Sequence, residues 1–358
     1  MQIIQIVPRL PPTIDGIGDY ALNLACELRE KYQIDTLFVV GDSHWQGSKV
    51  IEGFRVIQVE ESTPEAIKCQ LNCEIVLLHY VGYGYANKGC PFWLVRGLQD
   101  WLLGNHNQGK LITMFHEIAA LGRPPWTSAF WLSPLQMHLA TRLTQMSDRL
   151  ITSKDLYADT LTKISRGRHK NIPHLPVFSN VGELNKVLPL VERSQRIIVF
   201  GGRANRLRAY QESLPQLISA CEQLGIKEIW DIGSPTGLNL ADVHGIPVVE
   251  QGRLSKGEIS QILSISIAGF FDYNPIVLGK STIFAAYCAH GMLPVAAYGI
   301  DGVVDGIEAG KHYWLPDREG ENKISSQQLQ EIAENAYCWY GNHNLATQSK
   351  VFAELVIR

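Results

Sequence analysis

The chain has 358 residues, 46% of them hydrophobic, and a net charge of −3. Such a length holds about two domains, each with a core of its own, which excludes a small stapled scaffold and a disordered chain. A slightly acidic balance without long basic runs argues against a partner held by neutralising many phosphates, so nucleic acid is not expected as a partner.

In chain order, Ile3 to Val7 reads as a strand, and Ala21, Leu24, Ala25 and Leu28 then repeat at helical spacing. Thr36–Val40, Ile75–His79, Leu111–Phe115 and Arg149–Thr152 are further strands, the last three separated by helical stretches. Periodicity weakens between Leu175 and Gln195, where "PHLPVFSNVGE" supplies prolines and turn residues. A second series follows, with strands at Ile197–Phe200, Glu228–Ile232, Ile265–Phe271 and Leu293–Ala297 and a helix marked by Leu214, Leu217, Ile218 and Cys221. Leu329 to Arg358 reads as helical. Alternation of this kind predicts an α/β chain of parallel sheets covered by helices. The expected domains are 1–180 and 181–340, with a C-terminal helix over 341–358 that can pack back on the first. Two such sheets facing each other would leave a cleft at the carboxyl ends of their strands, where ligands of open α/β folds bind.

The strand ends carry the candidate chemistry. After the first strand, Gly16, Gly18 and Ala21 spell G-x-G-x-x-A, and Asp42 follows the second strand as a ribose-binding acid would. Eight residues with three prolines separate Val7 from Gly16, too many for a dinucleotide fingerprint. The glycines suit instead the approach of a large ligand to a helix start, or a structural turn. In the second series Gly201, Gly202 and Arg203 come directly after a strand, with Arg206 and Arg208 close behind. Forked guanidinium donors match a diphosphate, whereas Arg206 reads as part of a solvated basic face. Gly279, Lys280, Ser281 and Thr282 resemble the close of a Walker loop, but Asn274 stands where its first glycine should be. They read either as a helix start that attracts an anion or as an ordinary Ser/Thr cap.

These motifs resemble the retaining glycosyltransferases of family 4. The resemblance runs over nearly the whole chain through "PPTIDGIGDYALNLA", "GGRANRLR", "FHE" at Phe115 to Glu117, and "DYNPIVLGKSTIFAAYCAHGMLPVAAYGIDGVVDGIEAG". It implies a GT-B fold of two Rossmann-like domains and a nucleotide-sugar donor. Donor-binding residues would be Gly16, Gly18, Gly202, Arg203, Arg208, Gly279, Lys280, Ser281 and Thr282. His116, Glu117 and Asp19 would serve the transferred sugar and the acceptor, with Arg203 and Arg208 stabilising the departing diphosphate. Two glutamates usual in the family are replaced by Leu278 and Ala286. Several stretches look most like cyanobacterial envelope-polysaccharide glucosyltransferases, the heterocyst type included, which implies UDP-glucose as donor and no other cofactor. The alternatives are a sugar-nucleotide epimerase and a nucleotide-sugar-binding protein that has lost catalysis.

The acceptor would be a saccharide or a lipid-linked saccharide. In "LHYVGYGYANKG", His79, Tyr80, Tyr83 and Tyr85 offer rings between glycines, and His79 and Tyr83 are the expected acceptor contacts. Trp126 and Trp131 would either form a lip for a lipid-linked acceptor or, the preferred account, be buried between helices. No metal site is expected: the seven cysteines are scattered, Cys69 and Cys73 share a helix without a second pair, and no HExxH or Asp-x-Asp occurs. Met1 to Pro8 lacks a leader pattern and no apolar run reaches about 18 residues. The expected location is the cytoplasm, with peripheral contact at the inner face of the membrane left open.

Overall fold

A computed structural model describes residues 1–104, 108–120, 124–316 and 324–357. It divides into two compact units, Met1–Pro176 with Leu345–Arg358, and Val177–Asn344.

The first unit runs β1 (Gln2–Val7), α1 (Gly16–Tyr32), β2 (Asp35–Val40), β3 (Val50–Ile51), β4 (Phe54–Gln58), α2 (Pro64–Lys68), β5 (Ile75–Tyr80), α3 (Gly82–Tyr85), α4 (Phe92–Gly104), β6 (Lys110–Phe115), α5 (Ser128–Met146), β7 (Arg149–Thr152) and α6 (Asp155–Ile164). The strands form one sheet in the order β3-β4-β2-β1-β5-β6-β7, parallel except for the β3–β4 hairpin. Strands covered on both faces read as continuous apolar runs, and β1, β2, β5 and β6 do. The hairpin at the edge was not expected, because "VIEGFRVIQ" mixes charges into its apolar positions. Cys69 and Cys73 do not share a helix: α2 ends at Lys68, Cys69 caps it, and the Cys73 thiol turns to the Gln2 carbonyl at 3.3 Å.

The second unit runs β8 (Ser194–Phe200), α7 (Arg203–Gln211), α8 (Leu214–Leu224), β9 (Glu228–Ile232), β10 (Asp242–Val243), β11 (Ile246–Gly252), α9 (Lys256–Ile265), β12 (Ser266–Phe271), a 3-10 segment (Pro275–Lys280), α10 (Thr282–Ala289), β13 (Leu293–Ala296) and α11 (Ser326–Gly341). Its sheet order is β10-β11-β9-β8-β12-β13. The helical end read from Leu329 to Arg358 is two helices, α11 and α12 (Leu345–Ile357), parted at Asn342, and Arg358 lies outside the described residues. Among the described residues no helix is long and apolar enough to cross a membrane.

In each sheet the strand order reverses once, at β1 between β2 and β5 and at β8 between β9 and β12. Helices on opposite faces diverge at such a point and leave a crevice at the carboxyl ends of the strands.

One titrating group in the second core has a pH signature. His290 is buried, with Nδ1–H donating to the Ala286 carbonyl at 2.8 Å and Nε2 facing Ser260 Oγ at 2.8 Å. Burial first, and the nearby Arg193 charge to a lesser degree, pull its pKa down to about 4. Between about pH 4 and 6.5 the unfolded chain therefore binds a proton that the folded one refuses. The stabilisation is complete above the ordinary histidine value and fades as pH falls toward 4, by about 3 kcal/mol in all. Thermal midpoints across that range should fall more steeply for the natural chain than for His290→Gln; equal slopes would contradict the assignment.

Candidate functional site

In the second unit the switch point lies at Phe200 and Phe271. The turn after β8 is built so that α7 starts there bare. A Cβ on Gly201, whose φ is +123°, would sit 2.3 Å from Ile283 Cδ1, so only glycine fits. Gly202 is the N-cap of α7 and supplies no side-chain cap. Helix amides left uncapped at a first turn present partial positive charge outward.

The three arginines have separate tasks. Arg206, 1% exposed, is not on a solvated face as the sequence implied. Its Nε donates to the Gly201 carbonyl at 2.9 Å, one terminal nitrogen pairs with Asp231 and the other donates to the Ser234 carbonyl. It pins the ends of β8 and β9 together and thereby shapes the turn. Arg203 is exposed at the first position of α7 and is held by the Thr236 carbonyl at 3.1 Å, with no carboxylate partner among the described residues. Arg208 folds back, donating to the Asp272 carbonyl at 3.0 Å and to Asn205 Oδ1 at 2.8 Å, with Asp272 Oδ1 3.6 Å from its Nε. Phe200, Asn205, Arg206, Asp272, Tyr273, Ser281 and Ile283 line one small pocket at this switch point. The expected arginine pair and the start of α10 thus lie along the same strand ends.

The Gly279–Thr282 segment is more structural than expected. Ser281 caps α10, its Oγ accepting from the Phe284 amide at 3.2 Å. Gly279 is buried, accepts from the Val177 amide at 2.8 Å, and leaves room for Asp305: a Cβ there would meet its Oδ2 at 2.7 Å. Lys280 and Thr282 are half-buried at the helix start. Leu278 and Ala286 are buried, so neither side chain is open to solvent. Installing the acid usual in the family should therefore fail. Ala286→Glu is expected to cost at least about 2 kcal/mol by burying a carboxyl group, and not to raise nucleotide turnover. Calorimetry of the variant checks this.

In the first unit the glycine loop is closed by its own chain. Asp15 caps α1, accepting from the amides of Ile17 and Gly18 at 2.9 and 3.1 Å. A Cβ on Gly18 would lie 2.1 Å from the Arg9 carbonyl, so this glycine serves packing, whereas Gly16 is exposed. Arg9 pairs with both Asp15 and Asp42, at 3.2 and 3.3 Å, which takes Asp42 into the loop's scaffold. Asp19 is half-buried on the first turns of α1.

At the end of β6, His116 is 8% exposed and Glu117 half-buried. His79 does not face an acceptor: it is fully buried, its Nδ1 3.1 Å from His116 Nε2. Burial, with His116 second, holds its pKa well below the ordinary value, so its imidazole is neutral. Tyr80 and Tyr85 are buried as well, the Tyr85 hydroxyl donating to the carbonyls of Ile6 and His79. Only Tyr83 of the four rings is open, 41% exposed, its hydroxyl accepting from Gln136 Nε2. The expectation of accessible rings failed because β5 is a central strand covered on both faces. Trp126 and Trp131, by contrast, are 85% and 72% exposed and not buried between helices. Sequence reasoning also missed Lys154. It is buried just past the carboxyl end of β7, which pairs with β6 through Phe115 and Thr152, and its Nζ lies 5.1 Å from the Tyr157 ring centre. Its only sequence signal is a lysine two residues after a strand.

No family profile and no curated protein matches the sequence. Solved structures do match. An alpha-glucosyltransferase in complex with UDP-glucose and DNA containing an abasic site aligns over 99% of this chain and 98% of its own, with TM-score 0.55 and 12% identity. WaaG, a glycosyltransferase involved in lipopolysaccharide biosynthesis, aligns over 99% of this chain and 99% of its own, with TM-score 0.58 and 10% identity. A putative UDP-N-acetylglucosamine 2-epimerase from Listeria monocytogenes aligns over 98% of this chain and 94% of its own, with TM-score 0.57 and 13% identity. The fold is GT-B. One expectation falls with this finding. Nucleic acid was excluded as a partner on net charge, yet GT-B structures similar to this chain include alpha-glucosyltransferases in complex with DNA. Net charge averages over a whole surface and does not set the potential of one face.

Proposed function

We propose that the chain is a retaining glycosyltransferase that moves a hexose, glucose from UDP-glucose, onto a saccharide or lipid-linked acceptor. The observation that carries this reading is the start of α7: an uncapped helix end at a topological switch point, with Arg203 exposed beside it and lacking a carboxylate partner among the described residues. Helix amides and a forked cation together suit a diphosphate. The GT-B neighbours solved with UDP-glucose or UDP support a uridine donor. Resemblance to envelope-polysaccharide glucosyltransferases supports glucose and a role in polysaccharide synthesis.

In this reading the bond from the anomeric carbon to the diphosphate oxygen breaks, and a bond from that carbon to the acceptor oxygen forms on the same face. The acceptor's proton passes to the leaving diphosphate oxygen, so no protein base is required. What the second unit must supply is stabilisation of negative charge on the diphosphate, the task of Arg203, Arg208 and the α7 amides. Lys280 and the start of α10 follow β12, the strand beside β8 in the same sheet. His116, with Asp19 and Glu117, would orient the sugar and acceptor by hydrogen bonds, and Tyr83 would offer a ring to the acceptor. No metal or further cofactor has a part in the proposal. The exposed Trp126 and Trp131 are compatible with peripheral contact at the inner face of a membrane, where a lipid-linked acceptor would reside.

The test is a panel of UDP-, GDP- and ADP-sugars, with saccharide, lipid-linked and duplex-DNA acceptors, scored for free nucleotide and for the anomeric configuration of the product. Release from UDP-glucose with retention is expected; tight binding of a donor with no release would point to a protein that has lost catalysis. A second reading, a sugar-nucleotide epimerase, is favoured by fold neighbours of that kind at the same similarity. It predicts an isomer when UDP-N-acetylglucosamine is incubated alone.

A further inference from the structure

We propose that Asp272 is a positioning residue, which holds the Arg208 guanidinium so that its Nη1 edge is left to donate to a phosphate of the bound ligand. The phosphate rests on the glycosyltransferase reading; the hold on Arg208 does not. Asp272 follows β12 directly, at the switch point of the second sheet, and is 6% exposed. A carboxylate in that place is costly to bury and would repel an anion unless its charge is already engaged. It is engaged on every side. Oδ2 accepts from Ser213 Oγ at 2.8 Å, Oδ1 lies 3.6 Å from Arg208 Nε, and the main-chain carbonyl accepts from Arg208 Nη2 at 3.0 Å.

These contacts close a ring. The buried Ser213 also donates its amide to the Arg208 carbonyl at 3.0 Å, so one residue ties the Asp272 side chain to the Arg208 main chain. Carboxylate and carbonyl oxygens only accept and a guanidinium only donates, so each contact runs in one direction. Of the five N–H groups of a guanidinium, the two on Nη2 go to the Asp272 carbonyl and, at 2.8 Å, to Asn205 Oδ1. The one on Nε is paired with the Asp272 carboxylate. Nη1 has no partner among the described residues. Arg206, on the same helix, makes the contrast: it commits Nε and both terminal nitrogens to the protein, and its side chain is 1% exposed against 36% for Arg208. Arg208 is thus ordered before a ligand arrives and keeps one edge for it, which spares the cost of fixing a long side chain on binding.

The experiment is a double-mutant cycle on the full chain, read as UDP affinity by titration calorimetry and as turnover of UDP-glucose. Asp272→Ala should lower both UDP affinity and kcat/KM about ten-fold in the natural chain, and change either by less than about two-fold in Arg208→Ala, because it acts through that arginine alone. Asp272→Asn, which keeps an acceptor without the charge, should fall between the natural chain and Asp272→Ala. Ser213→Ala should repeat the loss in smaller measure. Equal losses in both backgrounds would make Asp272 a purely structural residue, and a gain in affinity would make it a charge opposing the phosphate. Either result overturns the proposal, as does an unchanged affinity in Asp272→Ala. Should Asp272→Ala fail to fold, the cycle with Asp272→Asn decides. The expected cycle in UDP affinity with no turnover of any donor would leave the hold on Arg208 standing and remove the proposed reaction; additive losses in an active enzyme would do the reverse. A natural chain without affinity for UDP would take the phosphate from Nη1 and overturn the proposal.

Discussion

Replacing Arg203 with alanine is expected to lower kcat/KM for the nucleotide-sugar donor by about 10²–10³-fold, the loss typical of removing a donor aimed at developing negative charge. Fold and stability should be unaffected, because the side chain is exposed and its hydrogen bond among the described residues is to the Thr236 carbonyl. Arg203→Lys should recover only part of the loss, since a point charge cannot reproduce a fork with two parallel donors. Arg208→Ala should also reduce turnover, and it adds a smaller structural penalty from the lost contacts to Asp272 and Asn205. Steady-state release of nucleotide, with calorimetry on each variant as the folding control, distinguishes these effects. Natural turnover in Arg203→Ala would remove the diphosphate from this helix start.

The parts of this molecule legible in its sequence are those set by local pattern. Central strands such as β2 and β6 are covered on both faces and so read as largely apolar runs, and the helix face of Leu214, Leu217 and Cys221 follows from spacing alone. Edge elements were not legible. β11 alternates exposed and half-buried residues, and nothing in "IPVVEQG" says that it pairs with β9. Strand order, which locates both switch points, depends on long-range pairing that no local pattern records. The candidate site shows the same division. Arg203 and Arg208 could be named from their place after a strand. That Arg206 between them is buried could not, because its partner Asp231 lies 25 residues on, at the end of a neighbouring strand. His79 looked like an exposed ring for the converse reason: "LHYVGYGY" is rich in glycine, but the sheet covers the histidine and turns its Nδ1 toward His116.

Arg206 supplies the largest expected effect on stability. Arg206→Ala should cost about 3–5 kcal/mol, because it leaves Asp231 buried without its guanidinium and removes the donors to the Gly201 and Ser234 carbonyls. Burial is already the leading influence on Asp231, raising its pKa, while the Arg206 charge opposes that shift. Without the arginine the carboxyl should rise further and take up a proton on folding near neutral pH. Stability of the variant would then improve as pH is lowered toward the ordinary carboxylate range, the reverse of the natural chain's response through His290. The double variant Arg206→Met with Asp231→Leu should recover most of the loss, since a hydrophobic pair of similar volume removes the unpaired charge. It should not recover nucleotide turnover, because the turn at Gly201 would lose the guanidinium that holds its carbonyl and with it the placement of Arg203 at the start of α7. Calorimetry of both variants between acid and neutral pH, beside donor turnover, separates the stabilising role of Arg206 from its service to the site. An Arg206→Ala protein as stable as the natural chain would show that the buried pair does not hold these strand ends.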